Sequence, residues 1–410
     1  MRYRKLGKTN VDVSILGFGA MRLPIEESHQ GKAGFDPNAP IDEIHAAKII
    51  EHALEEGINY YDTAYLYHGG KSETFLGKAL KPHRSKVMIA TKLPVWNIEK
   101  PEDFEKIFSE QLSKLNTDYI DLYLVHGLGS ASWKKLKEMD VLKFMAELRS
   151  SGRIRFAGFS FHDEIKVFKE IIDAYDWDMC QIQYNFYDQE YQAGKEGLAY
   201  AADRDIGVVV MEPLRGGKLV EKIPPDIQSI WDSAPVRKSP VEWAMRWVWN
   251  HREVSTVLTG SSTLDQIKDH TRIVNDAAPE AMTPEELSLI DQVRDAYRKK
   301  LQVDCTGCGY CMPCPNGVNI PQNFQLYNDF FLFKNPEFNK FAYNQFMTPD
   351  QRASACIECL ECVEKCPQKI EVPEELKKVH KVLGGIGPAL LILCLGVEIR
   401  ARRVGYDGPF

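Results

Sequence analysis

Eight short apolar runs alternate with amphipathic segments between about Val13 and Ile273. The runs are rich in Val, Ile, Tyr and Phe, as strands buried on both faces should be. In chain order they read VSILGFGA, NYYDTA, VMIATKLP, YIDLYLVHG, RFAGFSFH, MCQIQYNFY, GVVVMEPL and VSTVLTGS. Eight strand–helix units of roughly thirty residues predict an α/β fold, a (β/α)8 TIM barrel. A doubly wound sheet is the alternative, but it usually has fewer units and a GxGxxG turn where this chain has GFGAMR.

The segments between the runs have the spacing of helices with one buried side. IDEIHAAKIIEHALEEG predicts a helix that stops at Gly57, because a C-terminal cap needs a positive φ. Its expected buried side consists of Ile44, Ala47, Ile50 and Leu54. FEKIFSEQLSKL repeats the pattern, and its expected buried residues are Phe104, Ile107, Phe108, Leu112 and Leu115.

Two connections are too long to be plain turns. LPIEESHQGKAGFDPNAP follows the first strand and RGGKLVEKIPPDIQSIWDSAPVRKSP follows the seventh. Both come after the carboxyl ends of strands, the face on which barrels carry their sites, so we expect them to border a substrate pocket. After the eighth unit, a capping-box pattern at Thr283 and Glu286 predicts one more outer helix. We therefore expect a barrel over residues 1–300, a small second domain over 301–380 and a tail over 381–410.

The composition is that of a globular protein, with 44% hydrophobic and 27% charged residues in 410. The net charge of −7 argues against a nucleic-acid surface. No apolar segment follows the basic residues at the N-terminus as it would in a signal peptide, so we expect a cytoplasmic chain. Thiols stay reduced in the cytoplasm, and eight of the ten cysteines fall in two tight clusters. The cysteines therefore favour metal binding over disulfides.

The tail carries no charge between Val382 and Val397, but it contains four glycines and a proline. A membrane-spanning helix needs about 20 apolar residues. We therefore expect a helix that packs or binds a partner, with membrane contact as the less favoured alternative.

Two cysteine ladders, CTGCGYCMPCP and CIECLECVEKCP, follow the barrel segment. The second has the CxxCxxCxxxCP spacing of bacterial ferredoxins, in which three thiolates on one loop cap one face of a cubane cluster and a distant fourth closes it. The first ladder is one residue shorter before its Cys-Pro. The expected cluster ligands are Cys305, Cys308, Cys311, Cys314, Cys356, Cys359, Cys362 and Cys366.

Zinc is the alternative metal, since paired CxxC motifs also make four-thiolate sites. Each ladder, however, carries a third thiolate for which a zinc ribbon has no use, so two [4Fe-4S] clusters are favoured. In two-cluster ferredoxins the fourth cysteine binds the other cluster, which pairs Cys366 with the first ladder and Cys314 with the second. The aromatic, helix-like spacer between the ladders predicts a small, mainly helical ferredoxin-like domain. Cys180 and Cys394 lie outside the ladders and are interpreted as ordinary thiols.

Four polar residues fall at the carboxyl ends of consecutive predicted strands: Asp62, Tyr67, Lys92 and His126. Each has an ordinary explanation, as a helix cap, a half-buried aromatic, a solvated rim charge or a satisfied core histidine. Their shared face of the barrel indicates a site instead.

Over roughly residues 1–300 the sequence resembles the aldo-keto reductase family, in DTAYLY, ATK, LVH, GFGAMR and SETFLGKAL. The resemblance implies hydride transfer between a nicotinamide and a small-molecule carbonyl or alcohol, with Tyr67 as general acid. A phenol with a pKa of about 10 needs a nearby cation to act near neutrality. Lys92 would supply that cation, Asp62 would position Lys92, and His126 would hydrogen-bond the substrate oxygen.

The resemblance also implies cofactor contacts near the ends of the later strands. Ser160 and Gln181 would hold the carboxamide, while the loop at Gly260 could bind phosphate at a helix N-terminus. The full set of expected contacts is Ser160, Gln181, Leu214, Gly260, Ser261 and Gln266.

The chain departs from the family's pattern at several of these positions. Met211 replaces a stacking aromatic, and Gly260 and Gln266 replace basic residues of many NADP-using members, so either NADPH or NADH fits. Lys268 or Arg272 could substitute for the missing charge if the helix turned them inward. A degenerate nicotinamide site is the alternative. No motif indicates a flavin, although barrels can bind flavin phosphate.

A nicotinamide delivers two electrons as hydride, whereas a cubane accepts one, so a path between them needs a flavin or another relay. Two functions follow. In the first, the barrel is a carbonyl reductase whose clusters are structural or redox-sensing. In the second, an external ferredoxin or flavoprotein partner feeds the clusters, and the barrel does the two-electron chemistry. A docking role for the second domain is a third alternative. Along its whole length the chain resembles the aldo-keto reductases that carry an appended two-cluster ferredoxin domain.

Overall fold

The computed structural model describes residues 1–26, 40–217, 219–221, 223–303, 305, 311–332, 336–345, 347–366 and 370–385. The chain divides into two compact units, residues 1–221 with 230–294 and residues 222–229 with 295–410. Cys308, Cys394, residues 27–39 of the first long connection and the tail beyond residue 385 lie outside the described ranges. Within these ranges, none of the helices has both the length and the apolar character that crossing a bilayer requires.

The first unit starts with an antiparallel hairpin that the sequence pattern did not predict, β1 (Tyr3–Lys5) and β2 (Asp12–Ser14). Leu6 and Val13 of this hairpin are fully buried. They belong to a core cluster with Tyr60, Met88 and Met179, each of which is the first residue of a barrel strand. The hairpin therefore closes the amino end of the barrel, opposite the carboxyl ends of the strands.

Eight parallel strands form a closed barrel, as predicted. The strands are β3 (Leu16–Gly19), β4 (Tyr60–Asp62), β5 (Met88–Leu93), β6 (Ile120–Leu128), β7 (Ile154–Phe161), β8 (Met179–Gln183), β9 (Gly207–Met211) and β10 (Val254–Thr259). Their order around the barrel is β10-β3-β4-β5-β6-β7-β8-β9. Every residue of β5 and β10 is buried, which explains why these strands appear as continuous apolar runs and not as alternating patterns.

Eleven helices lie in the chain segments between and after these strands, among the described residues. Gly57 follows the first of them with φ of +83°, as its predicted capping role requires. The helices are α1 (Glu43–Glu55), α2 (Ser72–Leu80), α3 (Glu102–Leu115), α4 (Ser130–Glu138), α5 (Val141–Ser150), α6 (Ile165–Asp173), α7 (Gly194–Ala202), α8 (Pro225–Asp232), α9 (Pro240–Trp249), α10 (Leu264–Val274) and α11 (Pro284–Arg298).

The predicted buried sides of α1 and α3 need correction. In α1 the buried residues are Ala46, Ile49, Ile50 and Ala53, whereas Ile44 is 71% exposed. Small and apolar residues lie on several sides of this helix, so their spacing in the sequence does not identify which side is buried. In α3 Gln111 is fully buried and the predicted Leu112 is not. The polar side chain of Gln111 can be buried because it has hydrogen-bond partners such as Glu73.

The two long connections are partly described. Ile25 and Ile41 pair in an antiparallel bridge that joins the ends of the first one. The second contains α8, and the Ser239 side chain at its end caps α9 by accepting a hydrogen bond from Glu242 N. The predicted capping box before α11 is present, with Thr283 and Glu286 exchanging hydrogen bonds of 3.0 and 3.2 Å.

The described part of the second unit beyond α11 is mainly helical, as predicted. Its core contains Phe324, Tyr343 and Val379, and Cys362 is buried with them. The helices are α12 (Ile320–Leu332), α13 (Pro336–Gln345), α14 (Glu361–Lys365) and α15 (Val372–Leu383).

Candidate active site

The ends of β4, β5 and β6 bring the four predicted site residues to the carboxyl end of the barrel. Asp62 is the last residue of β4, and Lys92 and His126 lie within the last three residues of β5 and β6. Tyr67 begins a 3-10 turn after β4. The next residue, His68, adopts φ of +52°, a conformation that costs a residue with a side chain about 1–2 kcal/mol. Strain of this kind is typical of functional sites.

Lys92 and Asp62 form a buried ion pair. The Lys92 Nζ atom donates to Asp62 Oδ1 and Oδ2 at 2.7 and 2.8 Å, and to the Thr63 carbonyl at 2.7 Å. Burial works to lower the pKa of Lys92, but Asp62 and Tyr67 together outweigh burial and raise that pKa. Lys92 is therefore a fixed ammonium whose position Asp62 determines.

The Tyr67 side chain lies over this ammonium, with Lys92 Nζ 5.1 Å from the ring centroid. Burial raises the pKa of Tyr67, the charge of Lys92 opposes the shift, and Asp62 and Glu212 add to it. The phenol therefore keeps its proton at neutral pH, and the nearby cation is available to stabilise the phenolate that proton donation would leave.

His126 faces Tyr67 from β6, with the two rings edge-on and their centroids 6.1 Å apart. Burial, and then the charges of Lys92 and His162, hold the pKa of His126 well below 6.5. The imidazole is therefore neutral at physiological pH. Its Nδ1 atom is buried and has no hydrogen-bond partner among the described residues. A neutral ring of this kind can donate a hydrogen bond without competing for the proton of Tyr67.

Trp96 supplies an exposed aromatic surface beside these residues. Its side chain is 60% exposed, and its ring lies edge-on to His126 with centroids 5.0 Å apart. Gly127 makes this approach possible, because a Cβ atom there would lie 3.1 Å from the indole, and because φ of +59° favours glycine.

Ser160 is the second-last residue of β7 and Gln181 is the middle residue of β8, and both are almost fully buried. Ser160 Oγ accepts a hydrogen bond of 2.7 Å from Gly127 N. Gln181 Nε2 contacts the Met211 sulfur at 3.6 Å, but Gln181 Oε1 has no partner among the described residues. A buried acceptor without a donor fits a ligand that carries an N–H group, as the carboxamide of a nicotinamide does.

Met211 ends β9 and Leu214 lies in the loop that follows, and both residues are partly exposed. The Leu214 carbonyl accepts hydrogen bonds from Gly217 N and Leu219 N, which fixes a tight turn. Asn185 Nδ2 donates to the Glu212 carbonyl at 3.1 Å and thereby ties this loop to the loop after β8.

After β10, the predicted cofactor contacts Ser261 and Gln266 form hydrogen bonds with neighbouring residues of the chain. Ser261 Oγ lies 2.7 Å from Thr259 Oγ1 and 3.1 Å from His270 Nδ1, and Gln266 Oε1 accepts from Ser262 N at 2.9 Å. The side chains of both predicted residues therefore stabilise the start of α10.

The helix does not turn its basic residues inward. Lys268 is exposed, and Arg272 is exposed and pairs with Asp269 at 2.7 Å. A different cation lies at this edge. Arg22, which follows β3, contacts Gly216 and Gly260, since Cβ atoms on these glycines would meet its guanidinium and its aliphatic stem. The sequence analysis did not predict a role for Arg22, because the glycines that it contacts lie far from it along the chain.

Three cysteines act on Cys362 in the second unit. Burial raises the pKa of Cys362, and the thiols of Cys356, Cys359 and Cys314 raise it further, so these three thiols lie within electrostatic range of Cys362. Cys305, Cys311, Cys314 and Cys356 pack against the unit's core. In the described ranges no three His, Cys, Asp or Glu side chains converge as they would around a single metal ion. Cys180 is fully buried in β8, where burial raises its pKa.

Two family models match the chain. That of the aldo/keto reductase family matches residues 15–295, and that of the 4Fe-4S dicluster domain matches residues 304–371. The residues that match the aldo/keto reductase model, 15–295, include all eight barrel strands from β3 to β10.

Several known proteins are similar to this chain. It is 28% identical over 331 residues to the uncharacterized oxidoreductase YqkF of Bacillus subtilis, a match that covers 73% of this chain and 99% of that protein. It is 26% identical over 315 residues to L-galactose dehydrogenase of Arabidopsis thaliana, covering 72% and 95%. The solved structure of aldo-keto reductase AKR11C1 from Bacillus halodurans, in its holo form, matches with 30% identity and a TM-score of 0.58, covering 72% and 96%.

Proposed function

Because the chain belongs to the aldo/keto reductase family, we propose that its barrel reduces an aldehyde or ketone, or oxidises an alcohol, with a nicotinamide dinucleotide. The observation that carries this proposal is the arrangement of Lys92, whose ammonium binds both oxygens of Asp62 and lies beneath the Tyr67 ring. A buried cation next to a phenol is what proton exchange with a substrate oxygen requires.

Each residue of the site has one role in the reductive direction. Tyr67 donates its phenolic proton to the carbonyl oxygen, and Lys92 stabilises the phenolate that remains. His126, neutral in this environment, donates a hydrogen bond to the same oxygen and orients it. In the oxidative direction the phenolate of Tyr67 accepts the proton of the alcohol.

The cofactor would lie along the ends of the later strands. When bound, a nicotinamide supplies or accepts the hydride. Gln181 Oε1 would accept a hydrogen bond from its carboxamide, with Ser160 beside it, and Met211 would contact the ring. Arg22 and the loop at Gly260 would hold the phosphates of the cofactor. The proximity of Arg22 to Gly260 supports this phosphate site, in which residues from the start and the end of the barrel segment meet.

The second unit would hold two [4Fe-4S] clusters, each able to carry one electron. The electrostatic effect of Cys314, together with Cys356 and Cys359, on Cys362 supports the pairing in which the first ladder's last cysteine joins the second ladder. Cys305, Cys308, Cys311 and Cys366 would hold the other cluster.

Turnover with a carbonyl panel tests the proposal. Anaerobically purified protein is mixed with NADH or NADPH and with aliphatic, aromatic and sugar aldehydes, the last because of the similarity to a galactose dehydrogenase. We expect loss of the reduced nicotinamide only when a carbonyl is present. A protein that binds neither nucleotide and consumes neither with any carbonyl would contradict the proposed function.

The two-cluster complement supports a second candidate, an electron-transfer reductase fed by a ferredoxin or flavoprotein. The visible spectrum of anaerobic protein before and after adding NADH, then NADPH, separates the two candidates. Bleaching of the iron–sulfur absorption would indicate a relay between nicotinamide and clusters, and a bound flavin would then be sought. An unchanged spectrum during carbonyl turnover would indicate a barrel that works without the clusters.

A further inference from the structure

We propose that Glu73, the second residue of α2, is a positioning residue that holds Lys92 against Asp62 through Thr91 and Gln111. Its effect on turnover rests on the proposed carbonyl chemistry, whereas its effect on the position of Lys92 does not.

Glu73 is a fully buried carboxylate behind the site. Its Oε1 atom accepts hydrogen bonds from Thr91 Oγ1 at 2.6 Å and from Gln111 Nε2 at 2.7 Å. Burial raises the pKa of Glu73, and these two hydrogen bonds and the charge of Lys114 oppose the shift. Lys114 Nζ lies 3.6 Å from the other oxygen. A carboxylate is costly to bury, so its partners must fix it in place.

Gln111 extends this contact to the backbone of the catalytic strand. Its Nε2 atom donates to the carbonyl of Lys92 at 3.0 Å, and its Oε1 atom accepts from Tyr123 OH at 2.8 Å. Glu73 therefore orients the side-chain amide of Gln111, which hydrogen-bonds to the Lys92 carbonyl on β5 and to the Tyr123 hydroxyl on β6. The Thr91 hydroxyl adds a second attachment, one residue before Lys92.

The neighbouring residue Ser72 contacts Thr63, the residue that follows Asp62. Ser72 Oγ lies 2.9 Å from Thr63 Oγ1, and the carbonyl of Thr63 accepts a hydrogen bond from Lys92 Nζ. The residue after Asp62 and the residue before Lys92 therefore both form hydrogen bonds with the first two residues of α2: Thr63 with Ser72, and Thr91 with Glu73. A displacement of about 1 Å at a reacting group can reduce a rate about a hundredfold. The start of α2 is therefore in a position to set the rate.

Asp121 offers a matched control at the opposite end of the same strands. It is also fully buried, it accepts a hydrogen bond from Ile89 N of β5 at 3.0 Å, and it pairs with Arg84 and Arg155. Removing its charge disturbs the same two strands at the amino end, away from Lys92.

Steady-state kinetics of Glu73→Ala, Glu73→Gln and Asp121→Asn test the proposal, with thermal unfolding measured for each. We expect Glu73→Ala to lower kcat about 10- to 100-fold with KM within about threefold, because only the alignment of Lys92 changes. Glu73→Gln should recover most of kcat, since its amide oxygen can accept the same two hydrogen bonds. In Glu73→Ala the alkaline limit of the reduction rate should move to higher pH, because a displaced Lys92 no longer lowers the pKa of Tyr67.

An Asp121→Asn variant that loses as much kcat for the same loss of thermal stability would overturn the proposal, and so would an unchanged kcat in Glu73→Ala. If Glu73→Ala does not fold, Thr91→Val removes one of the two attachments at nearly constant volume, and its kcat should fall severalfold; an unchanged kcat there also overturns it. If the wild-type protein reduces no carbonyl, the proposed function fails by itself. Crystal structures decide the positioning without any turnover. The contacts of Lys92 Nζ with Asp62, at 2.7 and 2.8 Å, should lengthen in Glu73→Ala, or in Thr91→Val if the first variant does not fold, and should stay unchanged in Glu73→Gln.

Discussion

Lys92 Nζ lies within hydrogen-bonding distance of both carboxylate oxygens of Asp62, at 2.7 and 2.8 Å, and both side chains are almost fully buried. Two charges removed from water stabilise a fold only weakly, because their desolvation offsets their attraction. The pair therefore serves to hold an ammonium at a fixed point below Tyr67. Its energetic consequences appear when one partner is removed.

Lys92→Met should separate catalysis from stability. We expect the loss of about 10²- to 10⁴-fold in kcat, the range for a missing acid–base contribution. We also expect a loss of about 3–5 kcal/mol in the free energy of unfolding, because Asp62 stays buried without its partner. Kinetics and urea unfolding measure the two effects. The double variant Asp62→Leu/Lys92→Met should regain stability but not activity; a double variant as unstable as Lys92→Met would exclude the unpaired charge as the cause.

Tyr67→Phe should abolish carbonyl turnover and leave the iron–sulfur absorption unchanged. The substitution removes only the phenolic oxygen, so the ring keeps its contact with Lys92. Tyr65→Phe is the matched control, since Tyr65 lies two residues away and its hydroxyl donates to Glu110. That variant should keep its turnover within about twofold, because it removes one partly buried hydrogen bond that involves none of the four site residues. Undiminished turnover in Tyr67→Phe would rule out the proton-donor assignment.

The pH dependence of the two directions should differ. Because the pKa of Tyr67 is raised above its ordinary value of about 10, the reducing enzyme keeps its proton, and reduction should fall only at strongly alkaline pH. Oxidation needs the phenolate and should rise with pH over the same range. The pKa of His126 is well below 6.5, so neither rate should change near that pH. Initial rates of both directions between pH 5 and 11 check this; a fall of the reduction rate well below pH 10, or an inflection near pH 6.5 that His126→Gln removes, would contradict it.

His270 should make the barrel acid-sensitive. Burial lowers its pKa from 6.5 to about 4, so the unfolded chain takes up a proton that the folded chain refuses. Stability contributed by the neutral ring is therefore complete above pH 6.5 and is lost as pH falls towards 4, by about 3 kcal/mol at most. Urea titrations followed by circular dichroism at several pH values measure this. His270→Asn should flatten the slope between pH 6.5 and 4, and a slope that does not change would assign it to other groups.

Cys311→Ser should lose cluster iron, because a serine hydroxyl is a poor substitute for a thiolate at an iron–sulfur cluster. We expect iron to fall from about eight to about four atoms per chain, the content of one remaining cubane. Cys180→Ser is the control, since that thiol is buried in β8 and its raised pKa keeps it protonated. Iron analysis and visible spectra of both proteins decide the assignment; full iron in Cys311→Ser would remove it from the ligand set.

The barrel could be predicted because its strands are buried on both faces and stand out as apolar runs. The β1–β2 hairpin could not, since each strand has three residues and only Val13 and Ser14 among them are buried. The predicted buried side of α1 was wrong at Ile44, which has the spacing of a buried residue but is 71% exposed.

The convergence of the four candidate residues could be predicted because parallel strands of a barrel end on one face, so their places at strand ends in the sequence were sufficient. Glu73 and Gln111 were missed because charged and polar helix residues are ordinarily exposed. One signal was present: Gln111 follows Ile107 by four positions and Phe104 by seven, on the buried side of α3. Arg22 had no such signal, since the glycines that it contacts lie almost two hundred residues away or more.

The position of Trp96 also has a spectroscopic consequence. The chain has seven tryptophans, and the other six are buried, so Trp96 alone has an indole largely in contact with solvent. Its emission should therefore be the red-shifted component of the protein's fluorescence, and it should be the component that a soluble quencher such as iodide removes. Because this indole borders His126, a molecule that enters the site should shield it from iodide. Ligand binding can thus be followed without turnover and without a chromophore on the ligand.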